Sequence, residues 1–119
     1  MDLNRLEHEA LEALCRSWTQ EYPALKQQIE AVCCVARENT GNGFFTVLYV
    51  NPNQVTELTG PSPINGHFIR VDGLQYPIGL ILFFKNGYLN LLEGYSVGGD
   101  DTSEIDFSIA RFEGITQHP

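Results

Sequence analysis

The sequence has no long hydrophobic run and little positive charge. Its longest apolar stretch, 78–84, is far too short to span a bilayer, and the polar start at Met1 and Asp2 does not resemble a signal peptide. The chain has 7 Lys and Arg residues against 15 Asp and Glu residues, for a net charge of −8. Because such a surface repels phosphate backbones, we do not expect a protein that binds nucleic acid. The short apolar runs likewise lead us to expect no membrane protein.

Cysteine is scarce, and its placement excludes two classes of small protein. The three cysteines are Cys15, Cys33 and Cys34, and an odd number with two adjacent members does not suit a disulfide framework. No Cys-x-x-Cys pair with suitable His spacing is present to form a structural zinc site. We therefore expect no metal and no cofactor, and a reducing cytoplasm as the location.

Familiar catalytic motifs are missing as well. The chain contains no Gly-x-Ser-x-Gly elbow, no phosphate-binding loop and no His-Glu-x-x-His. The glycines at 94, 98 and 99 are not followed by a helical pattern, so they do not form a dinucleotide-binding fingerprint. The sequence therefore predicts a protein that is not an enzyme.

The composition that remains is that of a folded domain. A hydrophobic content of 43% is enough for a core, and a charged content of 18% argues against disorder. At 119 residues the chain is expected to form one domain, 1–119.

Two periodicities follow each other along the chain. Apolar residues spaced three and four apart predict helices over 2–19 and 23–37. Aromatic and β-branched residues then predict strands over 44–50, 66–71, 78–85, 88–95 and 104–112. This order predicts an α+β fold, with two N-terminal helices packed on a mostly antiparallel sheet of about five strands.

The segment 78–95 is the clearest structural signal in the sequence. An Asn-Gly dipeptide at 86–87 separates two apolar runs and is typical of a two-residue type I′ turn. That turn predicts that Lys85 lies opposite Tyr88 and Leu80 opposite Glu93. Glu93 would then mark the point where an apolar face of the hairpin meets water, a partner or a site.

Acidic residues collect after this hairpin and suggest a surface for a cationic partner. The expected partner-binding residues are Glu93, Tyr95, Asp100, Asp101, Glu104 and Asp106. A calcium site made by Asp100, Asp101 and Glu104 is a weaker alternative, because the spacing is not that of a helix–loop–helix site. A solvated turn is the third interpretation.

A second candidate is a pocket between the helices and the sheet. It would be lined by His67, Arg70, Glu93 and Tyr95, with Glu93 and His67 as an acid–base pair. Alternatively, Glu93 makes a structural ion pair with Arg70 or Arg111, and His67 is a partly buried structural residue.

The segment 78–96 carries an Ile-Gly-x-x-Leu-Phe strand, a Lys-Asn-Gly-Tyr-Leu turn and a Leu-Glu-Gly-Tyr-Ser strand. It resembles small bacterial proteins related to the immunity proteins of contact-dependent and other polymorphic toxin systems. The resemblance implies a cytoplasmic inhibitor that binds and blocks one cognate toxin, and it implies no catalytic residue.

Three functional hypotheses follow from the sequence. The leading one is a non-enzymatic, immunity-type inhibitor that occludes the active surface of a basic partner, such as a nuclease toxin domain. The second is a small-molecule-binding domain or enzyme that uses Glu93, His67 and Tyr95. The third is a structural subunit that forms a homodimer through an edge strand.

Overall fold

The N-terminal helix begins at a capping box formed by Asn4 and Glu7. In the computed structural model of the protein, which describes residues 1–118, helix α1 spans Arg5–Trp18. The Asn4 side chain accepts a hydrogen bond from the Glu7 backbone N–H (2.8 Å), and Glu7 Oε1 accepts one from the Asn4 backbone N–H (2.7 Å). This reciprocal cap satisfies two helix-terminal donors, so α1 starts after Asn4 and not at Asp2 as predicted.

Helix α2 is much shorter than the predicted 23–37. It spans Leu25–Ala31, and the backbone turns to an extended conformation at Val32. Strand β1 follows directly as Cys33–Asn39. The prediction was wrong here because the β-branched Val32 and Val35 suit a strand as well as a helix, and pairing with the next strand decides between the two.

The sheet has six antiparallel strands, one more than the five predicted. The other five are β2 (Gly43–Tyr49), β3 (Ile64–Val71), β4 (Ile78–Lys85), β5 (Tyr88–Ser96) and β6 (Phe112–Thr116). Their order across the sheet is β1-β2-β5-β4-β3-β6. The predicted α+β fold is therefore confirmed, and the β4–β5 hairpin lies at the centre of the sheet.

The predicted strand over 104–112 is a loop for most of its length. The Asp106 carboxylate accepts hydrogen bonds from both the backbone N–H and the hydroxyl of Ser108, and the Ala110 N–H bonds back to the Asp106 carbonyl. These local bonds form a turn that competes with an extended ladder. Strand β6 consequently begins only at Phe112, where it pairs with Val71 of β3.

The hairpin turn is confirmed, but the register changes two residues beyond it. Asn86 and Gly87 have φ angles of 55° and 87°, as a type I′ turn requires, and Lys85 lies opposite Tyr88. A bulge at Asn90 then moves every later pair by one residue, so Glu93 lies opposite Ile81 instead of Leu80. A shift of one residue transfers a side chain to the other face, and Glu93 is therefore on the opposite face from that predicted.

One face of the sheet, here called the inner face, packs against both helices and contains the core. α1 supplies Leu6, Ala10 and Leu14, α2 supplies Leu25 and Ile29, and the strands supply Phe44, Leu48, Ile64, Ile69, Ile78, Leu80, Leu82, Leu89 and Leu92. Burial of these side chains is the main stabilising contribution to the fold.

Gln28 fastens α2 to the central hairpin. Its side chain is polar, yet it is 0% exposed. Its Oε1 accepts the backbone N–H of Leu89 (2.9 Å), and its Nε2 donates to the carbonyls of Gly87 and Thr56 (both 2.8 Å). Every polar atom of this buried amide thus satisfies a backbone group next to the turn.

Replacement of Gln28 by leucine, which has a similar size, should destabilise the protein by about 2–4 kcal/mol. The buried Leu89 N–H and the Thr56 carbonyl lose their partner, and the Gly87 carbonyl keeps only the Leu58 N–H. Urea unfolding followed by circular dichroism measures the change. The control is Gln20→Leu at an exposed position; equal stability of the two variants would show that the Gln28 hydrogen bonds contribute little.

Candidate functional site

The face of the sheet turned away from the helices, here called the open face, is apolar. Side chains alternate along each strand, and the register of the pairs places the following residues on this side. They are Phe45, Val47 and Tyr49 of β2, Phe68 of β3, Ile81 and Phe83 of β4, and Leu91, Glu93 and Tyr95 of β5, with Glu38 of β1 at the margin.

Neither helix covers the open face. α1 reaches the inner face, where Ser17 contacts His67, and α2 does so through Gln28. Val47 and Tyr49 remain 38% and 51% exposed. The remaining apolar residues of the open face belong neither to the buried core nor to the partly buried residues packed on it. These side chains are partly buried by their neighbours on the same face, and together they form an apolar surface.

Tyr95 extends this surface across β4 because Gly79 leaves room for its ring. A Cβ atom at Gly79 would lie 2.2 Å from Cζ of Tyr95, well inside van der Waals contact. Phe68 is the strand partner of Gly79 on the other side, so the ring of Tyr95 lies beside it. Absence of a side chain at Gly79 therefore joins the aromatic residues of β5 and β3 into one surface.

Two carboxylates interrupt the apolar surface. Glu38 and Glu93 are the strand partners of Phe45 on either side, so the three residues form a row across β1, β2 and β5. Within residues 1–118 the one ion pair joins Arg37 to Glu7, so neither Glu38 nor Glu93 is ion-paired within this part of the chain. Lys85 lies on the same face, but it is four residues along β4 from Ile81, the strand partner of Glu93. The backbone positions of Lys85 and Ile81 are therefore about 13 Å apart.

The acidic residues predicted to act together are divided between two places. Glu93 and Tyr95 lie on the open face, whereas the other four occupy the loop before β6. Phe107 anchors this loop on the inner side by packing against Phe44, with ring centroids 4.9 Å apart. The acidic set is therefore not a single surface.

Three of the four loop carboxylates accept hydrogen bonds from backbone N–H groups. Asp100 accepts the backbone N–H of Tyr76 (2.8 Å), and Asp101 accepts both the N–H and the hydroxyl of Ser103 (2.9 and 2.6 Å). The hydrogen bonds from Ser103 lower the pKa of Asp101, as those from Ser108 lower the pKa of Asp106. Among the described residues, no group of three or more His, Cys, Asp or Glu side chains could hold a metal ion, so the calcium alternative has no support.

The predicted pocket of His67, Arg70, Glu93 and Tyr95 does not form, because the sheet itself separates its members. His67 is 5% exposed on the inner face, whereas strand alternation places Arg70, Glu93 and Tyr95 on the open face. A bulge between Asn65 and His67 sets this placement.

His67 instead forms a small inner network. Its Nε2 lies 2.8 Å from the Ser17 hydroxyl, which also accepts a hydrogen bond from Gln117 (3.1 Å). Its Nδ1 has no hydrogen-bond partner among the described residues, so no carboxylate orients the ring as nucleophilic catalysis by Ser17 would require. Burial, and to a lesser extent the charge of Arg16, lower the pKa of His67.

The sequence analysis missed Glu7, which is 2% exposed beside a pocket of about 470 Å³. Both of its oxygens accept two hydrogen bonds. Arg37 donates to each (2.9 Å), the Thr46 hydroxyl donates to Oε2 (2.6 Å), and the Asn4 backbone N–H donates to Oε1 (2.7 Å). Burial by itself would raise the pKa of Glu7, but these hydrogen bonds outweigh it and hold the pKa below its usual value. A carboxylate without a free lone pair is a structural group, and the Asn4-x-x-Glu7 pattern was the signal for its position.

Comparison with known proteins gives no match to a protein-family model, to a curated protein or to a solved structure. Neither helix of residues 1–118 has the length and apolarity that crossing a bilayer requires. The open face is therefore the feature of the molecule from which a function can be inferred.

The contact between Tyr95 and Gly79 can be measured by a double-mutant cycle. Gly79→Ala should destabilise the protein by about 1–3 kcal/mol, because the new methyl group displaces the Tyr95 ring. In a Tyr95→Ala background the same change should be nearly neutral, which gives a coupling free energy of about 1 kcal/mol or more. The control is Gly114→Ala, where a Cβ meets nothing within 4 Å; additive effects at Gly79 and Tyr95 would contradict the contact.

Stability should also decrease as the solution is acidified through pH 6.5. The pKa of His67 is lowered in the folded state from 6.5, so the unfolded chain binds a proton first, and stability falls until the pH reaches the folded pKa. Urea unfolding between pH 7.5 and 5.5 should show a smaller loss for His67→Gln than for the wild type. His8→Gln, at an exposed position, should retain the wild-type slope; a wild-type slope in His67→Gln would exclude His67 as the source.

Proposed function

We propose that the protein is a non-enzymatic binding domain of the inhibitor type, which holds a basic protein partner on the open face and occludes that partner's active surface. The observation that carries this proposal is the central sheet face, which is apolar, built of aromatic and aliphatic residues, and uncovered. A two-layer α+β domain needs to bury one sheet face for its own core, and the second apolar face of this sheet is available for a partner.

The size of the open face fits this role. Segments of about five residues on β2, β4 and β5, at ~3.3 Å per residue and ~4.8 Å per strand, cover roughly 240 Å², and Phe68 of β3 adds to this area. An exposed apolar patch of this order on a monomer is often functional. It is also large enough to form the apolar centre of a standard interface, which buries about 800 Å² on each partner.

The charge of the protein supports a cationic partner. A net charge of −8 accelerates association with a basic protein by long-range attraction. The loop carboxylates contribute to this attraction, although Asp101 and Asp106 are already hydrogen-bonded within the loop and Asp100 to the backbone of Tyr76. In this arrangement the loop steers the approach, and the open face makes the contact.

The experiment starts from the partner that co-purifies with the tagged protein from its native cells. Tyr49→Ala should weaken the affinity for that partner about 30-fold, because an aromatic side chain that is half exposed in the free protein and buried in the interface can contribute about 2 kcal/mol. It should equally reduce the inhibition of the partner's activity. Isothermal titration calorimetry and an activity assay measure the two effects.

Two control variants locate the surface. Ile109→Ala removes a side chain that is 79% exposed and lies off the open face, and it should leave the affinity unchanged. Asp100→Lys with Asp101→Lys should slow association and leave dissociation nearly unchanged. Loss of affinity in the loop variant with full affinity in Tyr49→Ala would place the interface on the loop and contradict the proposal.

A further inference from the structure

Phe45 lies between two carboxylate-bearing residues at the centre of the open face. Glu38 and Glu93 are its direct strand partners. Because neighbouring strands are about 4.8 Å apart, the two glutamates are about 10 Å apart with the Phe45 ring between them. A cation placed over this ring would interact with its face and would lie within reach of both carboxylates.

No described side chain of the protein itself supplies such a cation. Arg37 is paired with Glu7 on the inner side, and Arg5 lies over the ring of Phe112, 4.8 Å from its centroid. The cations that strand alternation places on the open face, Lys85 and Arg70, lie towards its two ends. The carboxylates at the centre are therefore available to a partner.

Any molecule that covers the centre of the open face removes these two carboxylates from water. Removing a carboxylate from water without a compensating partner is strongly unfavourable. A purely apolar surface would leave Glu93 buried and unpaired. A second copy docked centre to centre on this face would bring two further carboxylates within about 10 Å, the distance between packed sheet faces.

We infer that the open face takes a protein surface that places a Lys or Arg side chain over Phe45, between Glu38 and Glu93, and that it rejects a second copy of the same chain. This inference rests on the proposed function, since it requires the open face to be the docking surface. It goes beyond that function by specifying the chemistry of the partner's central side chain and by giving a reason why this face does not pair with a second copy.

The test uses the protein with reversed charges as the partner. The E38K/E93K variant presents the same apolar face with two cations at its centre. Wild type alone and E38K/E93K alone should each remain monomeric, whereas an equimolar mixture should form a heterodimer at least tenfold more stable than either self-association. Sedimentation velocity measures all three samples, and added salt should weaken the heterodimer.

The matched control is D101K/E104K, which makes the same change in net charge in the loop. A mixture of this variant with wild type should stay monomeric. The inference is overturned if wild type alone self-associates through the open face, or if the E38K/E93K mixture associates no more than the control mixture. Circular dichroism verifies folding, and E38R/E93R provides a second pair of cations if the lysine variant is unfolded.

The result separates the inference from the proposed function. If Tyr49→Ala loses the natural partner but the charge-reversed mixture stays monomeric, the open face is the docking surface and the requirement for a central cation is wrong. If the mixture associates but Tyr49→Ala keeps its affinity for the natural partner, the open face does bind a cation between Glu38 and Glu93, and the proposed function is wrong.

Discussion

The central hairpin is apolar on both faces, and the chain has helices for only one of them. Leu80, Leu82 and Leu92 are buried under α1 and α2, whereas Ile81, Phe83 and Leu91 point to the other side. Strand alternation fixes this division, and both helices contact the inner face. The uncovered apolar surface is thus a consequence of how little helix accompanies so apolar a sheet.

Buried polar contacts on the inner side make the open face a rigid surface. Glu7 joins α1 to β1 through Arg37 and to β2 through Thr46, and Gln28 joins α2 to the hairpin turn. These side chains hold the helices in one position on the sheet because each would lose its hydrogen bonds if the layer shifted. A sheet fixed in this way loses little conformational entropy when it binds, and such preorganisation favours affinity.

Local signals in the sequence were sufficient for the fold class and the turn at Asn86, but not for the face on which Glu93 lies. The turn depends on two residues, whereas the face depends on the bulge at Asn90, for which the alternating pattern of β5 contains no distinct signal. The same limit applies to Gln28. An isolated helix pattern places a glutamine in water, and only the unpaired backbone groups of the distant hairpin explain its burial.

Closeness in sequence was a poor guide to the acidic site for a related reason. Aspartates followed two residues later by serine, as at Asp101 and Asp106, tend to bind the backbone of their own turn. Their charges still act over the Debye length of about 8 Å in physiological salt, and this is enough to attract a partner but does not select one. Glu93 differs because an occupant of the open face must remove it from water. The unfavourable free energy of that step is recovered only by a partner with a cation at the matching position, so a single carboxylate within an apolar surface can discriminate among partners more strongly than the many acids of the loop.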